Sequence, residues 1–250
     1  YNRNREKQLR RMEIFTLNKE KELYQQKIDF FTRVAHEIRT PLTLIKAPMD
    51  KIFKSVERIP DIRHEVTIMN KNTDRLLTLT NQLLDFQKVE SGSYMLHTEP
   101  RDIVAIVKEV YQNFQPKAEK RAIQYVCYLP DEPVICNVDT DGMMKIIGNL
   151  LDNAIKYCHI NTLLEVYTTA RQDGKGQEVI IKVSNDGKIV PEQERHHIFD
   201  AFYSAGNSRL YESTGIGLSL ARSIALLHKG SLEYSTDGKY NIFKCAIPVG

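Results

Sequence analysis

Along the N-terminal part of the chain, Ile14, Leu17, Lys21, Tyr24, Ile28, Phe31, Ala35, Ile38, Leu42, Ile45, Met49, Ile52 and Val56 alternate steps of three and four. Lys21 is the only charged member, so the pattern is a heptad seam and asks for a partner helix. It predicts one long helix from about residue 5 to 57, which would extend roughly 75 to 80 Å. Arg58-Ile59-Pro60-Asp61 breaks it. A second helix is expected from about 62 to 90, where Ile62, Val66, Met69, Thr73, Leu76, Thr80 and Leu83 repeat the step and Leu77 and Leu84 widen the face. Two helices joined by a short turn form a hairpin, and hairpins from two chains form a four-helix bundle. A homodimer is the simplest cover for so long a seam; a monomeric hairpin would leave part of it bare.

Ser91-Gly92-Ser93 closes the second helix and marks a linker. Beyond it the periodicity mixes. Ile103 to Phe114 and Thr140 to Tyr157 read as helices, and Ile123 to Leu129 and Val134 to Val138 as strands bounded by Pro130 and Pro133. Leu163 to Ala170 and Glu178 to Ser184 alternate and face each other across Asp173-Gly174-Lys175-Gly176 as a hairpin. A short helix after Pro191, a polar loop near 203–214, a helix over about 216–228 and a strand pair ending near Pro248 complete an α/β sandwich. The expected division is a helix over 1–27, a helical-hairpin domain over 28–91, a linker over 92–98 and an α/β domain over 99–250.

Composition narrows the function classes. Of 250 residues, 42% are hydrophobic and 27% charged, with a net charge of +3. That balance points to neither nucleic acid nor a membrane surface as the main partner. The basic start, with Arg3, Arg5, Lys7, Arg10 and Arg11, reads as a solvated helix end and also suits a segment just cytoplasmic of a membrane span. No apolar run approaches the roughly 20 residues that cross a bilayer, and no secretory signal is visible. The chain is therefore expected to be soluble, and its mid-heptad start suggests a fragment of something longer. Cys127, Cys136, Cys158 and Cys245 lack metal-ligand spacing and read as reduced core residues.

Chemistry concentrates first in Phe31-Thr32-Arg33-Val34-Ala35-His36-Glu37-Ile38-Arg39-Thr40-Pro41-Leu42. With Phe31 and Ala35 on the seam, His36 flanks the packed face, and a carboxylate follows it directly. Such an imidazole is a candidate nucleophile. On its own, a histidine on a polar helix face is usually a solvated surface residue. Pro41 changes the balance, because proline inside a helix costs about 3 kcal/mol or more, and Pro48 repeats it seven residues on. Both suggest a helix that bends next to His36. The residues His36, Glu37, Thr40, Pro41 and Leu42 match the His-Glu-x-x-Thr/Asn-Pro-Leu pattern, and the stretch resembles the phosphoacceptor box of sensor histidine kinases. The resemblance implies that His36 is phosphorylated and that Thr40 orients water for dephosphorylation. Glu37 can accept a hydrogen bond from one ring nitrogen, leaving the other free to attack phosphorus.

The second concentration is Asn149-Leu150-Leu151-Asp152-Asn153-Ala154-Ile155-Lys156-Tyr157. Asn149, Asn153 and Lys156 stand at i, i+4 and i+7 and line one helix face. Two amide oxygens and an ammonium on one stripe suit a hydrated Mg²⁺ and phosphate oxygens, although such residues are also commonplace on solvated faces. The stretch is similar to the asparagine box of the GHKL ATPase superfamily, which implies metal contacts for Asn149 and Asn153, phosphate contact for Lys156 and nucleotide packing for Tyr157. Phe199-Asp200-Ala201-Phe202-Tyr203 resembles the family's phenylalanine box, and Thr214-Gly215-Ile216-Gly217-Leu218 its second glycine box, with Gly206 and Arg209 in the lid between them. Glycines there let backbone N–H groups approach phosphate at a helix start.

The first glycine box departs from the family pattern. Counting back from Pro191 puts Asn185 at the adenine-contacting aspartate, Gly187 at the first glycine and Ile189 at the second, while Ser213 replaces a glycine further on. An Asn carbonyl can accept from the adenine amino group without the charge that strengthens the bond, and Asp186 substitutes if the register slips by one.

The resemblance implies a dimeric, ATP- and Mg²⁺-dependent protein-histidine kinase that phosphorylates His36 and passes the phosphoryl group to a response-regulator receiver. Phosphatase activity, a cytoplasmic location for this segment and anchoring of the full-length protein in a bacterial inner membrane go with it. The altered glycine box motivates an alternative, a nucleotide-impaired dimeric scaffold or receiver phosphatase. A chaperone or DNA-repair ATPase fits the glycine elements but leaves the His36 stretch unexplained.

Overall fold

The computed structural model describes residues 10, 35, 38–40, 42–50, 52, 60–170, 176–203 and 215–249. The chain divides into two compact units, Tyr1–Glu90 and Ser91–Gly250.

In the first unit, residues 38–40 and 42–50 are helical, and helix α1 spans Pro60–Glu90. α1 opens on proline, whose missing N–H costs nothing in a first turn that has no intrahelical acceptor to meet. Pro48 sits on an exposed position and the helix continues on both sides of it. The predicted seam divides in two. Ala35, Leu42 and Met49 are buried, as are Val66, Thr73, Thr80 and Leu84 of α1. Ile38, Ile45 and Ile52, also seven apart, stay 42–47% exposed, and Met69 and Leu76 of α1 are exposed as well. Thr73 closes its hydroxyl onto the Met69 carbonyl at 2.9 Å and lies 3.5 Å from Met49 Sδ. Lys46 ties the two helices together through Asp74 at 2.9 Å. Ile14, Leu17, Lys21, Tyr24, Ile28, Phe31 and Val56 lie outside the described residues.

The second unit runs β1 (Glu99–Asp102), α2 (Ile103–Lys120), β2 (Gln124–Tyr128), β3 (Ile135–Val138), α3 (Thr140–Tyr157), β4 (Asn161–Ala170), β5 (Gln177–Asn185), a 3₁₀ turn (Glu192–Glu194), α4 (Gly217–Leu227), β6 (Ser231–Thr236) and β7 (Asn241–Pro248). The main sheet has the order β2-β4-β5-β7-β6, parallel between β2 and β4 and antiparallel elsewhere. β1 and β3 form a separate antiparallel pair. β1 lacks an apolar alternation and was not expected. α2 runs six residues past the predicted Phe114 end, straight through Pro116, because Ala118 continues its buried face. The helix after Pro191 is a single 3₁₀ turn.

The core is built on α3. Met143, Ile146, Ile147, Leu150, Leu151, Ala154 and Ile155 are all fully buried, a stripe at helical spacing. Asp139 sets the start of this helix: its carboxylate accepts from the Gly142 N–H at 2.6 Å and from the His97 N–H at 2.8 Å. The Asp139 N–H in turn donates to His228 Nε2 at 3.0 Å, and His228 Nδ1 donates to the Ile224 carbonyl at 2.9 Å. One buried neutral imidazole thus joins the start of α3 to the end of α4. The four cysteines are free; burial pushes the Cys245 thiol up to about 12 and Cys127 and Cys136 to about 11, so all three are protonated. Among the described residues no helix is long and apolar enough to cross a membrane.

Truncating Ile147, wholly enclosed in this core, should cost about 2–5 kcal/mol in urea unfolding, whereas Leu226→Ala, on the exposed face of α4, should change the midpoint little.

Candidate functional site

Because the apolar stripe of α3 must face the sheet and its neighbouring helices, Asn149, Asn153 and Lys156 are carried to its other side, where they are half-buried. Asn149 Nδ2 donates to the Lys145 carbonyl at 2.8 Å, so Oδ1 points away from the helix. It points at α4. A Cβ built on Gly217 would lie 2.7 Å from Asn149 Oδ1, so a larger residue here would push the Asn149 amide aside. Ile216, in the N-cap position, gives no side-chain hydrogen bond to that turn, and its first N–H groups have no acceptor within the helix. Lys156 Nζ sits 5.3 Å from the centroid of the Tyr157 ring, which is partly exposed. A hard amide oxygen and uncapped N–H groups therefore meet, with a cation two turns along the same helix face. They fit a phosphate-bound Mg²⁺, since neutral amide oxygens leave charge balance to the phosphates. Among the described residues no cluster of His, Cys, Asp or Glu offers a metal site of its own.

The end of β5 closes against the end of α3. A Cβ on Gly187 would fall 2.1 Å from the Tyr157 carbonyl oxygen. Asn185 is 3% exposed, and its Oδ1 accepts from the Gly187 N–H at 3.1 Å and from Asn241 Nδ2 at 3.4 Å. Asn241 is the register partner of Asn185 on β7. Its Nδ2 also reaches the carbonyls of Gly187 and Lys188, both at 3.2 Å, while its Oδ1 accepts from Val190 N–H at 3.2 Å and Tyr234 O–H at 2.8 Å. One buried amide thereby fixes the whole turn. The sequence reading missed it; its only trace is a polar residue at an inward register of the last strand.

Both candidate base contacts at this turn are tied into the protein. Asn185 Oδ1 already accepts from two donors, the Asn241 contact being the longer one. Asp186 is held by the neighbouring turn. Its carboxylate accepts from the N–H groups of His159 at 2.9 Å and Ile160 at 3.1 Å and from Asn161 Nδ2 at 2.7 Å. Burial pushes this carboxyl up, but the bonds from Asn161, Ile160 and His159 outweigh it and hold it below the usual carboxylate range.

Further along, the Arg222 guanidinium stacks 4.9 Å from the Phe199 ring centroid. Phe202 is 47% exposed with φ +66°, and its N–H donates to the Gly215 carbonyl at 3.1 Å. Gly215, φ +67°, lies so close to Tyr203 that a Cβ would be 2.5 Å from that residue's carbonyl oxygen. Both sides of residues 204–214 are therefore pinned together. Gly206, Arg209, Ser213 and Thr214 lie outside the described residues. So do His36, Glu37 and Pro41; next to them Ala35 is buried and Thr40 is helical and exposed. Arg39, beside Thr40, donates to the side-chain Oδ1 of Asn81 on α1.

This arrangement has relatives. Residues 138–250 match the family described as Histidine kinase-, DNA gyrase B-, and HSP90-like ATPase, and residues 26–92 match the His Kinase A (phospho-acceptor) domain. The chain belongs to the histidine kinases. It is 30% identical over 93% of its length to Hybrid signal transduction histidine kinase D of Dictyostelium discoideum, and 26% identical over 96% to Histidine kinase P4 of Formosa agariphila. It spans only 16% and 18% of those two relatives. The crystal structure of full-length ShkA in complex with AMPPNP shares its fold, with a TM-score of 0.68 at 23% identity over 88% of this chain and 45% of that one.

In this histidine kinase, then, the fold brings Asn149 to Gly217, and Asn185 and Gly187 to Asn241 and Tyr157. Leu218 follows Gly217 in the first turn of α4.

Gly187→Ala should destabilise the second unit by about 3 kcal/mol, because its new methyl meets backbone rather than a movable side chain; thermal unfolding checks this. The Asp186 bonds predict a pH effect. A carboxyl whose folded pKa is lowered contributes stability above its unfolded value and loses it as pH falls through the folded one. Urea unfolding at falling pH should therefore show the stability advantage of the native chain over Asp186→Asn shrinking below pH about 4.

Proposed function

We propose that this chain is the phosphoacceptor and ATP-binding core of a sensor histidine kinase, transferring the γ-phosphoryl group of ATP to His36 and then to an aspartate of a response-regulator receiver. The domain limits that go with this reading are 1–27 for the signalling helix, 28–91 for the dimerisation and phosphoacceptor hairpin, 92–98 for the linker and 99–250 for the ATP-binding domain. The observation that carries it is the approach of Gly217 to Asn149 Oδ1, in a chain that also holds His36-Glu37-Ile38-Arg39-Thr40-Pro41-Leu42.

In this reading, Asn149 and Asn153 hold Mg²⁺ through their amide oxygens, Lys156 meets phosphate, and the first N–H groups of α4 receive phosphate oxygens. Bound metal supplies charge neutralisation. A His36 ring nitrogen forms the phosphorus–nitrogen bond as the bond from the γ-phosphorus to its bridging oxygen breaks and ADP leaves. Glu37 holds the proton at the opposite ring nitrogen. Thr40 serves the reverse task, placing a water for dephosphorylation. Tyr157, Phe199, Phe202, Arg209, Thr214, Gly215 and Leu218 line or close the nucleotide site. That AMPPNP occupies a protein of the same fold supports the choice of ligand.

The exposed stripe Ile38, Ile45, Ile52, Met69 and Leu76 supports a homodimer, in which a second copy completes a four-helix bundle. The basic start supports a position just cytoplasmic of a bacterial inner-membrane anchor in the full-length protein. One observation favours the second reading, a nucleotide-impaired scaffold or receiver phosphatase: the occupied Asn185 Oδ1.

One measurement separates the two. With γ-labelled ATP and Mg²⁺ the native chain should gain acid-labile, base-stable label, His36→Ala should gain none, and Asn149→Ala should label at least about 100-fold more slowly. Absence of label at millimolar ATP would leave the scaffold.

A further inference from the structure

We propose that Arg121, which lies outside the sequence motifs of the nucleotide site, is a positioning residue for ATP: it closes the last turn of α3 and so holds the Lys156 ammonium where the phosphates bind. This rests on the reading of Lys156 as a phosphate contact.

An α-helix leaves its last carbonyls without intrahelical partners, and the three before Tyr157 can each be accounted for. The Ala154 carbonyl accepts from the Cys158 N–H at 2.9 Å. A helix continuing past this point would return the N–H groups of His159 and Ile160 to the carbonyls of Ile155 and Lys156. Both are diverted, to the Asp186 carboxylate at 2.9 and 3.1 Å. Arg121 takes their place, its Nη1 donating to the Ile155 carbonyl and, at 2.9 Å, to that of Lys156. A guanidinium at this end of a helix also meets the negative pole of the helix dipole.

The donor is itself fixed. Arg121 stands in the C-cap position of α2, where its N–H closes on the Ala118 carbonyl at 3.1 Å. Ala122 follows with φ +53°, the left-handed conformation that turns a chain sharply out of a helix, and the Ile123 N–H returns to the same Ala118 carbonyl at 3.1 Å. Ala118, Ile123, Ile155 and Cys158 form one buried cluster, so the ends of α2 and α3 are already joined by apolar packing. Arg121 adds a charged hydrogen bond to the backbone of the residue whose side chain is assigned to phosphate. Lys156 Nζ lies 5.3 Å from the Tyr157 ring centroid, and both side chains spring from this one turn. Without Arg121 the turn would give its carbonyls to water and fray, and the long Lys156 side chain would lose its fixed origin.

A cation that meets phosphate in the bound nucleotide stabilises ground state and transition state alike, so displacing it raises KM and leaves kcat nearly unchanged. The rate of His36 labelling by γ-labelled ATP with Mg²⁺, followed over a range of ATP concentrations in the 250-residue chain, reads both. Arg121→Ala should raise KM for ATP about tenfold and keep kcat within about twofold of native. Arg121→Lys should bring KM back toward the native value, because a single nitrogen makes both contacts and an ammonium can take its place. Lys156→Ala should raise KM by itself, and adding Arg121→Ala to it should raise KM no further. An unchanged KM in Arg121→Ala, no recovery in Arg121→Lys, or an equal additional rise in the Lys156→Ala background would overturn the inference and leave the nucleotide site standing. A native KM in Lys156→Ala alone would overturn the phosphate role of Lys156 and this inference together.

Discussion

The second unit depends on one amphipathic constraint in α3. Seven side chains from Met143 to Ile155 are completely enclosed, and an α-helix that commits one stripe to a core has no freedom left in the rotation of the other. Asn149, Asn153 and Lys156 are therefore placed by the packing of residues that take no part in chemistry. Asp139 and His228 then fix where α3 begins relative to α4. That is what allows Gly217 to come within contact of Asn149, where a methyl group would displace the amide.

A second constraint acts at the far end of the same helix. The turn after β5 presses on the Tyr157 carbonyl through Gly187 and is laced by Asn241. In a low-dielectric setting such an amide network is rigid, and here it holds the turn through the single side chain of Asn241. Asp186 is bound into the neighbouring turn.

The hairpin shows how a repeat can be correct and still incomplete. One heptad seam serves two surfaces, Ala35, Leu42 and Met49 turning inward while Ile38, Ile45 and Ile52 stay outside. Periodicity reports that a residue is apolar at the right step; it does not report which of two partners covers it. The same limit explains β1, a strand without alternation whose partner β3 lies far along the chain. It also explains the extension of α2 through Pro116, where continued burial outweighs one lost backbone bond.

The sequence by itself determined the two-unit organisation, the helices carrying the chemistry and the stripe of Asn149, Asn153 and Lys156, because each of these follows from spacing along a single element. Tertiary structure decided what spacing cannot encode: that Asn241 reaches back across the sheet to Asn185, that Gly217 abuts Asn149, and that an amide oxygen expected to face a base is already occupied. Those outcomes depend on atoms from distant strands meeting within about a hydrogen-bond length, and a linear pattern carries no term for that distance.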